Sequence, residues 1–139
     1  MRCLLDTNVI SELVAKQPNQ RVIEWIDSSD AADLYLSVVT IGELRKGIEK
    51  LPDSLRKDTL LSWLTNDLAL RFYNRILTID IGVMMTWGAF AGSSERKGRV
   101  LPAMDSLIAA ICLHHECALA TRNVEDFAGT EVVVVNPWL

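Results

Sequence analysis

Short apolar runs alternate with helix-forming segments along the whole chain, and this alternation restricts the possible folds more than any other feature of the sequence. Five runs have the length and composition of buried strands: CLLD at 3–6, LYLSVV at 34–39, RILTI at 75–79, CALAT at 117–121 and EVVVV at 131–135. Most of them are continuously apolar, which is typical of strands that are covered on both faces. The sequence therefore predicts an α/β fold with a mainly parallel sheet.

The segments between these runs have the apolar spacing and the breakers that are typical of helices. We expect helices from Thr7 or Asn8 to about Lys16, over 21–29, over 40–50, from Pro52 and Asp53 onward, over 80–97 and over 102–116, and one helical turn over 123–127. With 139 residues, of which 50% are hydrophobic, the chain can bury one core. We therefore expect a single domain that spans residues 1–139.

Composition argues against several classes of protein. A net charge of −4 is unfavourable for a coat protein that binds nucleic acid non-specifically, although it is compatible with a nuclease, whose metal site is itself acidic. The longest uncharged apolar run, LIAAICL at 107–113, is too short to span a bilayer, and no signal peptide precedes Asp6. We expect a soluble, cytoplasmic protein whose three cysteines are reduced and form no zinc site with the two adjacent histidines.

Acidic residues cluster where the predicted strands end and the helices begin. Asp6 ends the first strand, Glu43 follows the second, Asp105 begins the helix before the fourth, and Asn123 and Asp126 follow the fourth. Ligands of open parallel sheets bind outside the carboxyl ends of the strands. We therefore expect several of these side chains to share one edge of the sheet.

Most of these acids also have a purely structural explanation. Thr40-x-x-Glu43 fits a capping box, and Asn123-x-x-Asp126 fits a helix cap with an acid in the first turn. Asp105 would gain about 0.3–1 kcal/mol from the helix dipole. From the residues alone, the capping and the ligand-binding interpretations both stay open.

Asp6 and Asp105 differ from the other acids because both lie in apolar surroundings. A buried carboxylate without a partner is costly, so it needs hydrogen-bond donors or a cation. A shared divalent ion would meet this need, and oxygen ligands without thiolate or imidazole favour Mg²⁺ or Mn²⁺ over zinc. Such sites are typical of phosphoryl transfer, where the ion lowers the pKa of a bound water and neutralises charge on the phosphate.

Four segments of the sequence, in this order and at these spacings, resemble the PIN-domain toxins of bacterial toxin–antitoxin pairs, of the VapC and FitB types. They are LLDTNVISEL, YLSVVTIGELRKGIEKL, MDSLIAAIC, and LATRNVEDFAG with VVVVNPWL, and the likeness runs from Arg2 to Trp138. The resemblance implies a three-layer α/β/α domain with a five-stranded parallel sheet. It also implies a Mg²⁺- or Mn²⁺-dependent endoribonuclease that acts as a toxin and cuts RNA with a metal-activated water.

The resemblance also implies roles for individual residues. The metal-binding carboxylates would be Asp6, Glu43 and Asp105. The fourth catalytic position falls at residue 123, where many members carry Asp and this chain carries Asn123, which can still bind through its carbonyl or hold a water. Four neighbours are candidates for supporting these residues or for completing the site: Thr7, Asn8, Thr121 and Asp126. Four basic residues are candidates for RNA binding: Arg45, Arg96, Lys97 and Arg99.

Two protein partners follow from the same resemblance. One is a cognate antitoxin, whose C-terminal segment would bring an Arg or Lys to the carboxylates and replace the charge of the metal. The other is a second copy of the chain. We expect a homodimer built mainly from helices in the 52–100 region, since this region holds more aromatic residues than a small core needs: Trp63, Phe72, Tyr73 and Trp87.

Two alternative functions stay open at this point. A PIN-like domain without catalysis would serve as an RNA-binding or regulatory module, and Asn123 is the residue that favours it. An aspartyl-phosphate hydrolase would also place an Asp directly after a strand. Such enzymes usually carry a second acid two residues later, where this chain has Asn8.

Overall fold

A five-stranded parallel sheet forms the centre of the computed structural model, which describes all 139 residues. The strands are β1 (Cys3–Leu5), β2 (Leu34–Ser37), β3 (Ile76–Leu77), β4 (Ala118–Ala120) and β5 (Val134–Val135). Their order in the sheet is β3-β2-β1-β4-β5, and every neighbouring pair is parallel. The predicted α/β class and the five parallel strands are confirmed.

Helices connect consecutive strands and cover both faces of the sheet. They are α1 (Thr7–Ser11), α2 (Gln20–Ser28), α3 (Val38–Glu49), α4 (Leu55–Ser62), α5 (Ala69–Arg71), α6 (Ile81–Arg96) and α7 (Ala103–His115). Single 3₁₀ turns lie at Glu12–Val14, Ala31–Asp33 and Val124–Phe127, and a π turn at Trp63–Leu68 joins α4 to α5. None of the helices is long and apolar enough to cross a membrane.

The strand side chains alternate between two separate cores. On β1, Leu5 is fully buried in a core that includes residues of α1, α2, α3 and the turn after α4, while Leu4 is buried against α6 and α7 on the opposite face. On β4, Leu119 belongs to the second core and the alanines beside it to the first. Each face of a strand therefore has its own helical layer, as the three-layer architecture requires.

Strand β2 is shorter than the sequence predicted, because the next helix begins earlier. Val38 and Val39 were expected to be strand, but the Ser37 side chain accepts a hydrogen bond from the Thr40 amide at 3.2 Å and so caps α3. The capping box that the sequence suggested for Thr40 and Glu43 is therefore wrong. Thr40 lies inside the helix, and the Glu43 side chain is free to point elsewhere.

The four aromatic residues that suggested a dimer have different environments. Phe72 is fully buried in the core of one chain, Trp63 and Trp87 are half-buried, and Tyr73 is the only one of the four that is exposed. The indole of Trp87 donates to the Ser106 hydroxyl at 2.9 Å, which ties α6 to α7. Most of this aromatic surface therefore serves the fold of the single chain.

The order of the strands defines one special position in the sheet. The chain starts at the central strand β1, adds β2 and β3 on one side, and returns to add β4 and β5 on the other. The connections therefore leave in opposite directions from β1 and β4, which opens a crevice beyond the carboxyl ends of these two strands. This crevice is where open parallel sheets bind their ligands.

Candidate active site

Asp6 follows β1 directly and lies in this crevice. Its backbone continues the sheet, since its amide donates to the Ala120 carbonyl at 2.9 Å. Its side chain is only 8% exposed and serves as the cap of α1, accepting from the Thr7 amide at 2.8 Å. The sequence had predicted Thr7 or Asn8 as the cap, so the helix begins slightly earlier than expected. The carboxylate is held between a strand end and a helix start.

Thr121, the residue after β4, holds the other oxygen of Asp6. Its hydroxyl donates to Asp6 Oδ2 at 2.8 Å, and the residue is fully buried. The same hydroxyl accepts from Asn8 Nδ2 at 3.2 Å and from the Asn123 amide at 3.1 Å. Because its one proton goes to Asp6 and its lone pairs take the two donors, this hydroxyl has a fixed orientation. Asp6 is thereby held on both oxygens.

Thr7 brings Glu43 to the same crevice. Its hydroxyl donates to Glu43 Oε1 at 2.6 Å and lies 3.1 Å from the hydroxyl of Thr40, which is buried in α3. Glu43 therefore reaches across from α3 to α1 instead of capping its own helix. Of the residues proposed as support, Thr7 contacts Glu43, and Asn8 and Thr121 form a chain that ends at Asp6.

Asp105 approaches the crevice from the first turn of α7, which has no side-chain cap. Burial raises the pKa of Asp105 above its ordinary value, and the charges of Asp126, Asp6 and Glu43 raise it further; no hydrogen bond opposes them. Burial likewise raises the pKa of Asp6. The hydrogen bonds from Thr121 and Thr7 lower it, and the charges of Glu43 and Asp126 raise it. Asp6 and Asp105 are thus each close enough to neighbouring carboxylates for the negative charges to act on them.

No cation balances this group of acids. The three ion pairs of the structure lie elsewhere, between the N-terminus and Asp33, Arg45 and Glu49, and Lys57 and Asp53. The donors are carboxylate oxygens without thiolate or imidazole, which are the ligands that Mg²⁺ and Mn²⁺ prefer. No three acidic, histidine or cysteine side chains already form a complete ligand set. By charge and donor type the residues fit a hard divalent cation, and they would have to close around it.

Residues 123 and 126 lie beside these acids on the turn that follows β4. The Asn123 side chain caps nothing; it is the backbone carbonyl of Asn123 that accepts from the Asp126 amide at 3.1 Å. The suggested side-chain cap at Asn123 is therefore absent, and the residue is exposed. Asp126 is also exposed, and its charge acts on both Asp6 and Asp105. Asp126 is thus near enough for its charge to act on the acids, and the Asn123 backbone amide contacts the Thr121 hydroxyl that holds Asp6.

The basic residues proposed for RNA binding lie in two places. Arg45 is on α3, where it pairs with Glu49 at 2.8 Å. Arg96 and Lys97 are exposed at the end of α6, and Arg99 follows them with its guanidinium 3.4 Å from the Asp126 carbonyl. Arg99 is thus the member of this set that contacts the turn beside the acids.

Sequence reasoning missed a groove that begins at Glu43. It has a volume of about 580 Å³ and lies between α3 and the start of α7, with Lys46 and Lys50 at its side. One signal for it was present in the sequence, because Glu43, Lys46 and Lys50 follow the i, i+3, i+7 spacing of one helix face.

Comparison with known proteins gives a consistent result. The family model described as "PIN domain" matches residues 3–131. The chain is 38% identical to Toxin FitB of Neisseria gonorrhoeae, covering 97% of each protein. It is 32% identical to VapC ribonuclease Y4jK of Sinorhizobium fredii, covering 97% of this chain and 96% of that protein. It superposes on the crystal structure of FitAcB from Neisseria gonorrhoeae with a TM-score of 0.91, 38% identity and 98% coverage of both chains.

Proposed function

We propose that this chain, which belongs to the PIN-domain family, is a metal-dependent endoribonuclease that acts as the toxin of a toxin–antitoxin pair. One observation carries the proposal: four carboxylates share the ligand-binding crevice of the sheet, and no cation of the chain balances them. The names of two relatives, a toxin and a ribonuclease, support the reaction and the biological role.

Asp6, Glu43 and Asp105 would hold Mg²⁺ or Mn²⁺, and Asn123 or Asp126 would complete the ligand set. When bound, the ion would lower the pKa of a water and neutralise charge on the scissile phosphate. Thr121 and the Thr7 amide fix the orientation of Asp6, and the Thr7 hydroxyl fixes Glu43. Because hydrogen bonds hold two of the three carboxylates before the ion arrives, less side-chain entropy is lost when the site closes.

The first prediction concerns the metal dependence of cleavage. Purified protein should cut single-stranded RNA in Mg²⁺ or Mn²⁺, stop when EDTA is added, and resume when the ion is restored in excess. The reason is that the carboxylates by themselves repel a phosphodiester and offer no electrophile. Gel analysis of a labelled RNA measures this. Cleavage that persists in EDTA would contradict the proposal.

A second candidate function is an RNA-binding module with little or no catalysis. Two features favour it: residue 123 is Asn where the resemblance to the family implies Asp, and the carboxylates do not yet form a complete ligand set. The same gel assay separates the candidates when it is combined with a binding measurement. RNA that is bound in Mn²⁺ but stays intact would favour the module.

We also propose that the chain associates with two protein partners, a second copy of itself and an inhibitory antitoxin. A homodimer would use the exposed apolar surface of α6, where Ile81 and Met85 are 83% and 72% exposed. Of the aromatic residues that first suggested a dimer, only Tyr73 is comparably exposed, at 72%. A cognate antitoxin would cover the acids, because an uncontrolled endoribonuclease would destroy the RNA of its own cell. An Arg side chain suits this task, since its planar fork binds carboxylates at two points and keeps its charge at all relevant pH values.

The second prediction concerns this antitoxin. Co-expression with the protein encoded by the adjacent reading frame should give a stable complex that does not cleave RNA in Mn²⁺. Replacing the Arg or Lys near the C-terminus of that partner with Ala should release activity, because the charge that opposes Asp6, Glu43 and Asp105 is lost. A basic residue in the N-terminal half of the partner serves as the control. If the chain alone is harmless to its host and no adjacent frame yields a binding protein, the toxin role fails.

A further inference from the structure

The groove beside Glu43 combines charge and apolar surface in an unusual way. One wall is a face of α3, and the other is formed by Ile79 together with Met104 and Leu107 of α7. Glu43 stands at the end nearest the acids, and Lys46 and Lys50 follow it along α3. At 3.6 residues per turn, these three side chains project from α3 within a sector of roughly 60° around the helix axis. The groove therefore leads from the negative site toward positive charge.

The two lysines have no partner within the chain. Neither belongs to any of the three ion pairs of the structure, and Lys46 does not pair even with Glu43, one turn before it. Both are exposed. Arg45, the residue before Lys46, points to a different part of the helix surface and is paired with Glu49. The positive charge along this groove is thus available to a ligand.

Two glycines on the same helix have no internal explanation. Gly42 and Gly47 also border the groove, and a Cβ added at either position would meet no atom within 4 Å. Neither has a positive φ that would require glycine. Glycine in a helix interior is unfavourable relative to alanine, so a bare helix surface is maintained here at a cost in stability. Such a surface allows another molecule to approach the α3 backbone closely.

From these features we infer that the groove between α3 and α7 holds a single strand of RNA next to the phosphate that is cut, with Lys46 and Lys50 contacting successive phosphates. This inference rests on the proposed function and extends it from the acids to the path of the substrate. The lysines supply charge opposite to the phosphates, the apolar wall faces the bases, and the glycines let the strand lie close to the helix. It moves the expected RNA contact on α3 from Arg45 to Lys46 and Lys50.

The test measures binding of a fluorescent single-stranded 12-nucleotide RNA to the full chain in EDTA, over a series of salt concentrations. For the double variant Lys46→Gln/Lys50→Gln we expect affinity about ten-fold weaker near 0.1 M salt. We also expect a plot of log affinity against log salt that is less steep by about 1.4, since each phosphate contact on a single strand contributes about 0.7.

Two further variants separate charge from shape. Gly42→Gln should weaken RNA binding without changing the salt slope, because it fills the groove and leaves the charge unaltered. It should not lower the melting temperature, since nothing in the chain obstructs the new side chain. Arg21→Gln is the control: it removes one exposed, unpaired positive charge from α2, outside the groove, so RNA affinity should stay within about two-fold of the wild type.

The outcomes distinguish this inference from the proposed function. If the wild type cleaves RNA in Mn²⁺ but the double variant binds RNA with unchanged affinity and salt slope, the groove assignment is overturned and the nuclease stands. If the groove variants behave as expected and the wild type cleaves nothing, the RNA path is supported and the nuclease proposal fails. If the groove variants no longer form the complex with the antitoxin but bind RNA as tightly as the wild type, the inference is overturned and the groove is assigned to a segment of the antitoxin.

Discussion

Replacing Asp105 with asparagine is expected to abolish RNA cleavage and to make the metal-free protein more resistant to heat. Cleavage should fall by on the order of 10³-fold, because the ion contributes several kcal/mol to the transition state and about 1.4 kcal/mol corresponds to a factor of ten. The fold should survive, since no hydrogen bond supports Asp105 and asparagine has nearly the same shape. Loss of activity would then reflect loss of a ligand.

The stability change has a definite dependence on pH. Because burial and three neighbouring acids raise the pKa of Asp105, the folded chain keeps this proton to a higher pH than the unfolded chain does. The stabilisation that results is fully present below the ordinary carboxyl value of 3.8 and is lost as the pH rises through the raised value. Without metal, the melting temperature of the wild type should therefore fall as the pH rises above about 4, and that of Asp105→Asn should fall by less.

Thermal melts in EDTA between pH 4 and 7, and again in Mn²⁺, measure both effects. Asn123→Asp is the matched opposite change, because it adds a carboxylate where the side chain is free. It should tighten Mn²⁺ binding and steepen the loss of stability with pH in EDTA. An Asp105→Asn protein that still cleaves RNA at the wild-type rate would exclude Asp105 from the site. If Asn123→Asp binds Mn²⁺ with the same affinity as the wild type, residue 123 is excluded from the metal site.

Replacing Thr121 with valine is expected to destabilise the protein and to weaken metal binding, although Thr121 is not a proposed ligand. Valine has the shape of threonine but cannot donate to Asp6 Oδ2 or accept from Asn8 and the Asn123 amide. Asn8 and Asn123 are accessible enough to bind water instead, but Asp6 is buried. The unsatisfied carboxylate oxygen should cost about 1–3 kcal/mol of unfolding free energy.

The pKa of Asp6 gives this variant a second readout. The hydrogen bond from Thr121 lowers that pKa against the effect of burial, so its loss should raise the pKa further. Protons then compete better with metal, and apparent Mn²⁺ affinity should fall most at low pH. Thr121→Ser keeps the hydroxyl and serves as the control, with affinity close to the wild type. A Thr121→Val protein with unchanged stability and unchanged Mn²⁺ affinity at every pH would show that the hydroxyl does not position Asp6.

The comparison between sequence and structure is most instructive at the ends of the elements. The sequence placed Asp6 correctly at the end of a strand, but it assigned the helix cap to the next residues and gave Val38 and Val39 to a strand. Apolar β-branched residues fit a buried strand and a buried helix start equally well, so the boundary depended on the Ser37 side chain, which caps α3. The capping box at Thr40 and Glu43 failed for the same reason.

What the sequence by itself determined is the class of fold and the edge of the sheet where the acids lie. Continuous apolar runs require cover on both faces, and this forces a parallel sheet whose strand ends meet along one edge. Both facts follow from local pattern, which a single sequence contains in full.

Only the tertiary structure decided how the side chains at that edge are connected. The Thr121 hydroxyl reaches Asp6 across 115 residues of chain, Thr7 reaches Glu43 across 36, and the groove with Lys46 and Lys50 exists only because α7 packs beside α3. These contacts depend on the order in which strands are added to the sheet. No local spacing encodes that order, because it is selected by the packing of the two cores as a whole.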